Sequence, residues 1–444
     1  MLFTQFLDDD LGCASYLVGD EEAGVAVVVD PPLAIEPLVA EVDRRGVRIV
    51  ATLETHTHAD HVSGHGRLAL EHGVPVRINP IAAPEYPFEP LADGARVEVG
   101  DVVVTAIHTP GHRPEHTALA IADTTRADEP WLVLTGDSLF VGDAARPDLA
   151  VEAREGAEGL WGSLHRLVAL GDGVEVYPGH VAGSMCGRAM SSKASTTIGF
   201  ERRFNPMLQL DAEEEFVAAS IGTAGVRPPN VERIVALNRG PFVAAPPPLA
   251  VLAARPEDAV VLDVRPAADF VDGHVPGAIN VPVSGSSFGT KAGFVLPSGR
   301  PIVLHAASAE EAALAARRLH AVGFLELAGR LEAPETDERL PTVTVEELER
   351  LLAEDAVEVV DVREADERDD GYIPGSRNIP YRLVGAFADS IGDGKPVVTI
   401  CESGPRAAVA ASVLAAHGVD ARPVLRGGMV EWKGATTHFR RCGS

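Results

Sequence analysis

Residues 55–61 of this 444-residue chain read Thr-His-Thr-His-Ala-Asp-His, and this stretch decides the fold of the first half. It places three imidazoles and one carboxylate within six residues. The apolar run at residues 49–53 precedes it and predicts a buried strand. A strand that runs into a histidine-rich turn gathers several ligand atoms around one point at the edge of a sheet. Because imidazole and carboxylate together suit zinc, iron or manganese, the stretch predicts a metal site rather than a solvated polar loop.

Three more candidate ligands follow along the chain. They are His112 in Thr-Pro-Gly-His, Asp137 in Leu-Thr-Gly-Asp and His180 in Tyr-Pro-Gly-His. The residues before each of them alternate in polarity or run apolar, as strands do. Each candidate is therefore predicted to lie at a strand end, where a rigid scaffold can hold it.

The composition excludes several classes of partner. The chain has 38 basic and 65 acidic residues, a formal net charge of -27, so we expect neither nucleic acid nor a membrane as a partner. No apolar run reaches membrane-spanning length, and the first residues lack the pattern of a signal peptide. Four cysteines lie far apart without a C-x-x-C motif, which is typical of a reduced, cytoplasmic protein with reactive thiols. They are Cys13, Cys186, Cys401 and Cys442.

The second half of the chain contains an internal repeat. Asp-Val-Arg at residues 263–265 is followed by a Pro-Gly at 276–277, and Asp-Val-Arg at 361–363 is followed by a Pro-Gly at 374–375. The spacing is the same in both copies, so two copies of one βα-type domain are the simplest account. A proline-rich linker at residues 240–249 ends the first domain.

The second copy contains the loop Cys-Glu-Ser-Gly-Pro-Arg at residues 401–406, between an apolar strand and an alanine-rich helix. A loop at this place points backbone N–H groups inward, and the helix N-terminus adds positive potential. Both favour a thiolate, so Cys401 is predicted to be a nucleophile rather than a buried structural cysteine. Gly404 permits the tight turn, and Arg406 is predicted to hold an anionic sulfur donor.

The order of the ligand motifs resembles the metallo-β-lactamase fold. H-x-H-x-D-H, then G-H, G-D and P-G-H, implies an αββα sandwich with metals at one edge of two packed sheets, over roughly the first half of the chain. All seven ligand positions of the two-metal version are present: His56, His58, Asp60, His61, His112, Asp137 and His180. Such a fold does not by itself fix a reaction.

The cysteine loop, C-x-x-G-x-R within this repeat, resembles the active loop of rhodanese sulfurtransferases, in which the cysteine accepts a sulfane sulfur as a persulfide. The first copy departs from this pattern, because Ala306 stands at the position of Cys401 and Glu311 at that of Arg406. We therefore expect the first copy to be catalytically inactive, with a structural or docking role. The expected α/β architecture is a metallo-β-lactamase domain at residues 1–240, a degenerate rhodanese-like domain at 245–335 and an active one at 341–444.

The whole chain resembles known fusions of a persulfide dioxygenase with an inactive and an active rhodanese domain. The resemblance implies one Fe(II) per chain, held by His56, His112 and Asp137. The other four ligand positions would surround that site or, in principle, hold a second metal. The expected function is oxidation of a low-molecular-weight thiol persulfide by O₂ to sulfite. Rhodanese transfer between persulfide or sulfite and thiosulfate would accompany it, in sulfide detoxification and sulfur metabolism.

Two other interpretations stay open. A dinuclear zinc thioester hydrolase of the glyoxalase II type would use all seven ligands, with zinc as the alternative metal. Such enzymes carry a helical substrate domain, however, and the segment with Arg146 and Asp148 is more similar to the dioxygenase branch. The third interpretation is a non-catalytic, sulfur-responsive scaffold, against which the intact ligands and cysteine loop argue.

Positive charge and a thiol near His180 suggest where substrate binds. Arg188 and Lys193 belong to a locally basic stretch that is either an anion-binding rim or a solvated helix face. Arg146 is a further candidate for substrate binding. Cys186 is either a persulfide acceptor or a small buried side chain. We also expect a homo-oligomer; the thiol carrier and the direction of the rhodanese reaction stay open.

Overall fold

The strands of the first half form two six-stranded sheets. The computed structural model describes residues 1–148, 150–181, 191–221, 227–297, 299–392 and 394–438. The first sheet has the order β1-β2-β3-β4-β5-β6. Its strands are β1 (Leu2–Leu7), β2 (Ala14–Asp20), β3 (Val25–Val29), β4 (Arg48–Leu53), β5 (Val76–Ile78) and β6 (Glu89–Pro90).

The second sheet begins with an antiparallel meander. Its strands are β7 (Arg96–Val99), β8 (Val102–His108), β9 (Thr117–Asp123), β10 (Leu132–Gly136), β13 (Glu175–Pro178) and β14 (Thr196–Thr197), in the order β14-β13-β10-β9-β8-β7. β11 (Leu139–Phe140) and β12 (Asp143–Ala144) form a separate hairpin. The helices of this half are α1 (Glu36–Arg45), α2 (His65–His72), α3 (Ala153–Val168), α4 (Ile198–Phe204), α5 (Glu213–Ile221) and α6 (Val231–Arg239).

The core of this half has three apolar layers, which confirm the expected αββα sandwich. Val18, Val27 and Leu53 of the first sheet pack with Val104 and Leu119 of the second, between the two sheets. The opposite face of the first sheet packs against α1 and α2, and that of the second against α3 and α5. Because the middle strands are covered on both faces, they are apolar runs rather than alternating ones.

The chain divides into two units, Met1–Ala245 with His320–Gly323, and Pro246–Leu319 with Phe324–Ser444. The second unit contains two parallel sheets, one for each copy of the repeat. The first copy comprises β15 (Val251–Leu252), β16 (Val260–Asp263), α7 (Ala267–Asp272), β17 (Ile279–Asn280), α8 (Phe288–Val295), β18 (Ile302–His305), α9 (Ala309–Ala321) and β19 (Leu327–Leu331). Its strand order is β15-β19-β18-β16-β17.

The second copy has the strand order β21-β20-β22-β23. It comprises α10 (Val345–Ala353), β20 (Glu358–Asp361), β21 (Arg377–Asn378), α11 (Val384–Phe387), β22 (Val397–Ile400), α12 (Pro405–Ala416), β23 (Ala421–Pro423) and α13 (Gly428–Glu431). β20 and β22 are parallel and in register, with Asp361 opposite Ile400, so their carboxyl ends meet at one edge of the sheet. Cys401 follows directly at that edge. None of the described helices has the length and apolar character that a bilayer crossing requires.

Candidate metal centre and cysteine loop

Asp30 anchors the histidine-rich loop that follows β4. Asp30 has φ 48°, a left-handed conformation that is uncommon outside glycine. Its carboxylate accepts the Thr55 backbone N–H at 2.8 Å and the Thr55 hydroxyl at 2.7 Å. The Thr55 carbonyl accepts the N–H of Thr117 at 2.8 Å, at the start of β9. The two sheets are therefore joined where the ligand candidates converge.

His56, His112 and Asp137 form what we call the ligand triad. One side-chain atom from each lies within 4.8 Å of the others, and all three residues are only 1% exposed. The His112 Nε2 and Asp137 Oδ2 atoms are 3.5 Å apart. Among the described residues, His56 Nε2 and Asp137 Oδ2 have no hydrogen-bond partner, although both are buried. Buried polar atoms without partners are costly unless something binds them, so these donors fit a metal such as ferrous iron or zinc.

Hydrogen bonds prepare both imidazoles of the ligand triad to coordinate. Thr55 Oγ1 donates its proton to Asp30, so it accepts from His56 Nδ1 at 2.9 Å. His112 Nδ1 donates to the carbonyl of Arg146 at 3.3 Å. Each bond leaves the lone pair on Nε2. Burial holds the pKa of His56 well below its usual value and also lowers the pKa of His112, which keeps both rings neutral.

Asp137 is held by an imidazole on either side. His116 Nε2 accepts the Asp137 backbone N–H at 2.9 Å, and His180 Nδ1 donates to Asp137 Oδ1 at 2.7 Å. Burial lowers the pKa of His116 to about 3, so its ring is neutral and can accept. Gly136 has φ 48°, and a Cβ there would lie 2.6 Å from His116 Nε2, so this turn requires glycine. Asp137 therefore presents Oδ2 to the ligand triad while Oδ1 is occupied.

His58 is directed toward two carboxylates. Its Nε2 lies 3.2 Å from Asp30 Oδ1 and 3.3 Å from Glu54 Oε2. Burial alone would lower the pKa of His58, but the attraction of Asp30 and Glu54 outweighs it and raises the pKa well above its usual value. Glu54 is also buried, yet His65 and His58 hold its pKa at about 2. A protonated His58 is a charge partner for these carboxylates. Asp30, Glu54 and His58 nevertheless lie close enough together to hold a metal ion, and His58 Nδ1 is buried without a hydrogen-bond partner among the described residues.

Cys13, Asp60, His61 and His180 form a second cluster, which we call the paired group. His180 Nε2 lies 2.7 Å from Asp60 Oδ2, so His180 has a carboxylate at each of its nitrogens. His61 Nδ1 lies 3.2 Å from Asp60 Oδ1. Burial would raise the pKa of Asp60, but attraction by the two imidazoles holds it well below the usual value. If His180 donates from both nitrogens, it has no lone pair for a metal. Cys13, Asp60 and His61 of this group lie close enough together to hold a metal ion.

Cys13 is a site residue that sequence reasoning missed. Its Sγ lies 3.2 Å from Asp60 Oδ2, 3.3 Å from His180 Nε2 and 3.5 Å from His61 Nδ1. Cys13 and Cys401 are unpaired among the described cysteines. Burial and the Asp60 charge raise the pKa of Cys13 well above its usual value, so it is a thiol. A β-bridge between Cys13 and His180 brings them together across 167 residues, which no local motif reveals.

The two described candidate substrate cations, Arg146 and Lys193, lie in different surroundings. Arg146 is buried, and its guanidinium makes two 2.7 Å contacts with the Asp148 carboxylate. Lys193 is exposed. Arg188 and Cys186 lie outside the described residues, so their predicted roles stay predictions.

The Cys401 loop has the tight geometry that the sequence predicts. Cys401 is buried, and the Gly404 N–H donates to its Sγ at 3.1 Å. Gly404 has φ 112°, and a Cβ there would lie 1.9 Å from the carbonyl oxygen of Leu425. Only glycine fits this turn. Pro405 then begins α12, whose N-terminus faces the thiol.

Arg406 is engaged in a bidentate ion pair. Its two terminal nitrogens each lie 2.6 Å from an oxygen of Glu367, in the 3₁₀ turn after β20. Arg406 was expected to hold an anionic donor, and that role stays a prediction. No local motif predicts the contact with Glu367, because this residue lies 39 residues before Arg406.

The first copy of the repeat has the same frame without the nucleophile. Ala306 follows β18 at the position of Cys401, and the Ala307 N–H donates to Glu311 Oε2 at 2.6 Å. The carboxylate of Glu311 therefore takes the loop N–H that could otherwise face a bound anion.

Comparisons with known proteins find matches for both halves of the chain. The metallo-β-lactamase superfamily matches residues 8–180, and the rhodanese-like domain matches 249–332 and 344–435. Human mitochondrial persulfide dioxygenase ETHE1 is 30% identical over 203 residues, 45% of this chain and 73% of that protein. An uncharacterized protein of Mycobacterium tuberculosis, Rv2581c, is 30% identical over 235 residues, 47% of this chain and 98% of its own length.

A crystal structure of a metallo-β-lactamase from Staphylococcus aureus covers more of the chain. It has a TM-score of 0.69 and 26% identity, over 74% of this chain and 98% of that one. The first unit comprises Met1–Ala245 and the short segment His320–Gly323. The similarity therefore extends beyond the first unit.

Proposed function

We propose that this chain oxidises low-molecular-weight thiol persulfides with O₂ and transfers sulfane sulfur through Cys401. The chain belongs to the metallo-β-lactamase superfamily and carries rhodanese-like domains in addition. The balanced oxidation is RSSH + O₂ + H₂O → RSH + SO₃²⁻ + 2 H⁺. Residues 1–240 are assigned to this oxidation. Residues 341–444 are assigned to sulfur transfer, and residues 245–335 form the degenerate copy. We place the reaction in the cytoplasm.

The observation that carries the proposal is the contrast between the ligand triad and the remaining histidines. Three buried donors converge on one point, and two of their atoms have no partner among the described residues. Of the two further histidines that a dinuclear centre would need, His180 has a carboxylate at each nitrogen. His58 has carboxylates beside Nε2, whereas its Nδ1 is buried without a hydrogen-bond partner among the described residues. This supports one metal per chain, and the proposed metal is Fe(II). When bound, ferrous iron held by two imidazoles and one carboxylate supplies open coordination positions for a thiolate sulfur and for O₂.

The surrounding residues hold the ligand triad in place. The Arg146 carbonyl orients the His112 ring, and Thr55 orients the His56 ring. His116 and His180 fix the Asp137 backbone and its Oδ1. Such partners of metal ligands set their orientation and basicity. The three donor residues are each only 1% exposed, so they have little contact with bulk water.

Sulfur transfer is the second half of the proposal. The Cys401 persulfide gives its outer sulfur to sulfite, so that the S–S bond at the enzyme breaks, thiosulfate forms and the Cys401 thiolate returns. Covalent linkage of the two activities raises the effective concentration of sulfite at Cys401 to about the millimolar range when the linker allows approach. A dinuclear zinc hydrolase would instead require His58 and His180 to give up their ion pairs.

The test is oxygen uptake by iron-reconstituted chain supplied with a low-molecular-weight persulfide, with both sulfur products measured. We expect one O₂ consumed per sulfur oxidised, thiosulfate as a product of the wild type, and mostly sulfite in Cys401→Ser. The uncatalysed reaction of sulfite with persulfide is subtracted. Two bound zincs, with thioester hydrolysis and no oxygen uptake, would refute the oxidation. Comparing initial rates across glutathione, coenzyme A, bacillithiol and mycothiol persulfides identifies the carrier.

A further inference from the structure

The histidine-rich loop between β4 and α2, residues 54–64, contains neither a helix nor a strand, so its buried backbone groups need partners from elsewhere. One side chain of α6 supplies three of them. Asn238 donates from Nδ2 to the carbonyls of His58 at 3.0 Å and His61 at 2.8 Å, and its Oδ1 accepts the Ser63 N–H at 2.9 Å. A buried residue that follows His61 by 177 positions therefore fixes the backbone of this loop.

The backbone N–H of Val62, in the same loop, has its partner farther along the chain. Val62 is fully buried, and its N–H donates to the carbonyl of Ala321 at 2.7 Å. Ala321 is the last residue of α9, the helix that follows Ala306 in the degenerate copy of the repeat. The last carbonyls of a helix have no partner within that helix, so Ala321 can accept a bond from outside. The helix that begins after the missing cysteine thus ends at the histidine-rich loop.

The segment His320–Gly323 belongs to the first unit, although the chain on either side of it belongs to the second. α6 holds this segment as well as the loop. Asn230, just before α6, donates from Nδ2 to the carbonyl of Val322 at 2.9 Å. A Cβ at Gly323 would lie 3.4 Å from Ile234 Cγ1. The histidine-rich loop, α6 and the segment are therefore three parts that each contact the other two.

We propose that the degenerate copy of the repeat serves as a structural component of the metal centre. Its segment His320–Gly323, together with Asn238 of α6, positions the histidine-rich loop for metal binding. This gives the copy without a cysteine a role at the ligand triad. The inference rests on the metal site proposed above, but not on the reaction assigned to it.

The histidine-rich loop reaches the ligand triad in two ways. His56 is itself a residue of the loop. Asp60, also in the loop, lies 2.7 Å from His180 Nε2, and His180 Nδ1 in turn holds Asp137 Oδ1 at 2.7 Å. A shift of the loop would therefore move one ligand and the partners of another together, and such partners typically change metal affinity 10–100-fold.

Two glycines provide a matched test of the segment. Gly323 follows α9 and Gly418 follows α12, with φ 87° and 84°. Each N–H donates to the carbonyl three residues earlier, at 3.0 and 2.8 Å. Alanine strains both turns in the same way, because L residues rarely adopt such φ values. Among the described residues, no atom lies within 4 Å of a Cβ built at Gly418, so that turn can relax outward, whereas Gly323 packs on α6.

The measurement is the affinity of the full chain for Fe(II), determined anaerobically by competition with a chelator. We expect Gly323→Ala to weaken this affinity by about tenfold and Gly418→Ala by no more than about twofold. Thermal unfolding of the metal-free proteins sets an assay temperature at which both variants are folded, so a general loss of stability does not enter the comparison. Equal affinities in the two variants would overturn the proposal.

Asn230→Asp is a second variant that leaves the backbone unstrained. Aspartate caps a helix as well as asparagine does, so α6 keeps its start, but the Val322 carbonyl loses its donor and faces a carboxylate. We expect Fe(II) affinity about fivefold to tenfold weaker than in the wild type. Wild-type affinity in Asn230→Asp would contradict the role of the segment.

Bound iron is the quantity measured in both variants, and oxygen uptake is not. A chain that binds iron at the ligand triad but does not oxidise persulfides would therefore refute the proposed function and leave this test intact.

Discussion

The ligand triad and the paired group contain the same kinds of side chain but are prepared for opposite roles. In the ligand triad, each imidazole uses Nδ1 for a protein partner and keeps Nε2 for the centre. In the paired group, His180 lies between two carboxylates, and Asp60 is shared by two imidazoles. Hydrogen bonding, and not the count of histidines, therefore determines which donors can coordinate. Seven metallo-β-lactamase ligand positions are compatible with a single metal because the other four, His58, Asp60, His61 and His180, contact one another or nearby carboxylates.

The largest expected effect is loss of the ligand triad. His112→Ala and Asp137→Ala should lower both iron content and oxygen uptake by more than about 100-fold, since removal of a ligand exceeds the 10–100-fold effect typical of its outer partners. Iron per chain and an oxygen electrode measure this. Cys401→Ser is the control and should keep its iron and its oxygen uptake. Full iron content in His112→Ala would show that His112 is not a ligand of the metal.

An intermediate effect is expected from the paired group. His180→Ala deprives Asp137 Oδ1 of its 2.7 Å partner without removing a proposed ligand. We expect iron affinity about 10–100-fold weaker, with the stoichiometry still one iron per chain at saturation. Competition with a chelator measures the affinity. If His180 coordinates a second metal, the variant would instead lose one of two bound ions.

The ion pair between His58 and Glu54 should make the stability of the metal-free protein depend on pH. The pKa of Glu54 is lowered to about 2 in the folded protein, against about 4.3 in the unfolded chain. Ionised Glu54 therefore stabilises the fold above about pH 4.3, and this stabilisation is lost as the pH falls toward 2. His58 has a raised pKa, so its contribution is present below about pH 6.5 and declines as pH rises through the folded value. Metal-free wild type should therefore exceed metal-free Glu54→Gln in Tm by several degrees near pH 5 to 6.

That difference in Tm between wild type and Glu54→Gln should shrink steadily as the pH approaches 2. Thermal unfolding followed across this pH range measures it. A difference that does not change with pH would mean that Glu54 is not ionised in the folded protein.

The smallest effect is expected at Cys13. It is buried, and its raised pKa keeps it a thiol, so it should resist iodoacetamide until the chain unfolds. Cys13→Ser should change iron content and oxygen uptake by no more than about twofold, because serine also donates to Asp60. A large loss of bound metal in Cys13→Ser would mean that the thiol is a ligand after all.

Much of the fold was predictable from the sequence for a local reason. The candidate ligands stand just after apolar strands, and the Asp-Val-Arg repeat marks the carboxyl ends of β16 and β20. The helix α1 also has a local end signal, because Gly46 follows it in a left-handed conformation. These signals lie within a few residues of the element that they predict.

What the sequence could not predict depends on partners that are distant along the chain. His58 and His112 look equivalent as ligands, but Asp30 reaches His58 from the end of another strand. Cys13 meets His180 through a β-bridge, and Glu367 reaches Arg406 from a 3₁₀ turn. Such pairings follow from tertiary packing, so the donor atoms that stay available could not be read from motif spacing.

The most direct test of the central claim is the number of metal ions per chain after anaerobic reconstitution with excess Fe(II), measured together with oxygen uptake on the same sample. The ligand triad predicts one iron per chain and oxygen consumption that follows the bound iron in proportion. Two ions per chain, with the second lost in His180→Ala, would contradict the account, because the paired group would then be a metal site.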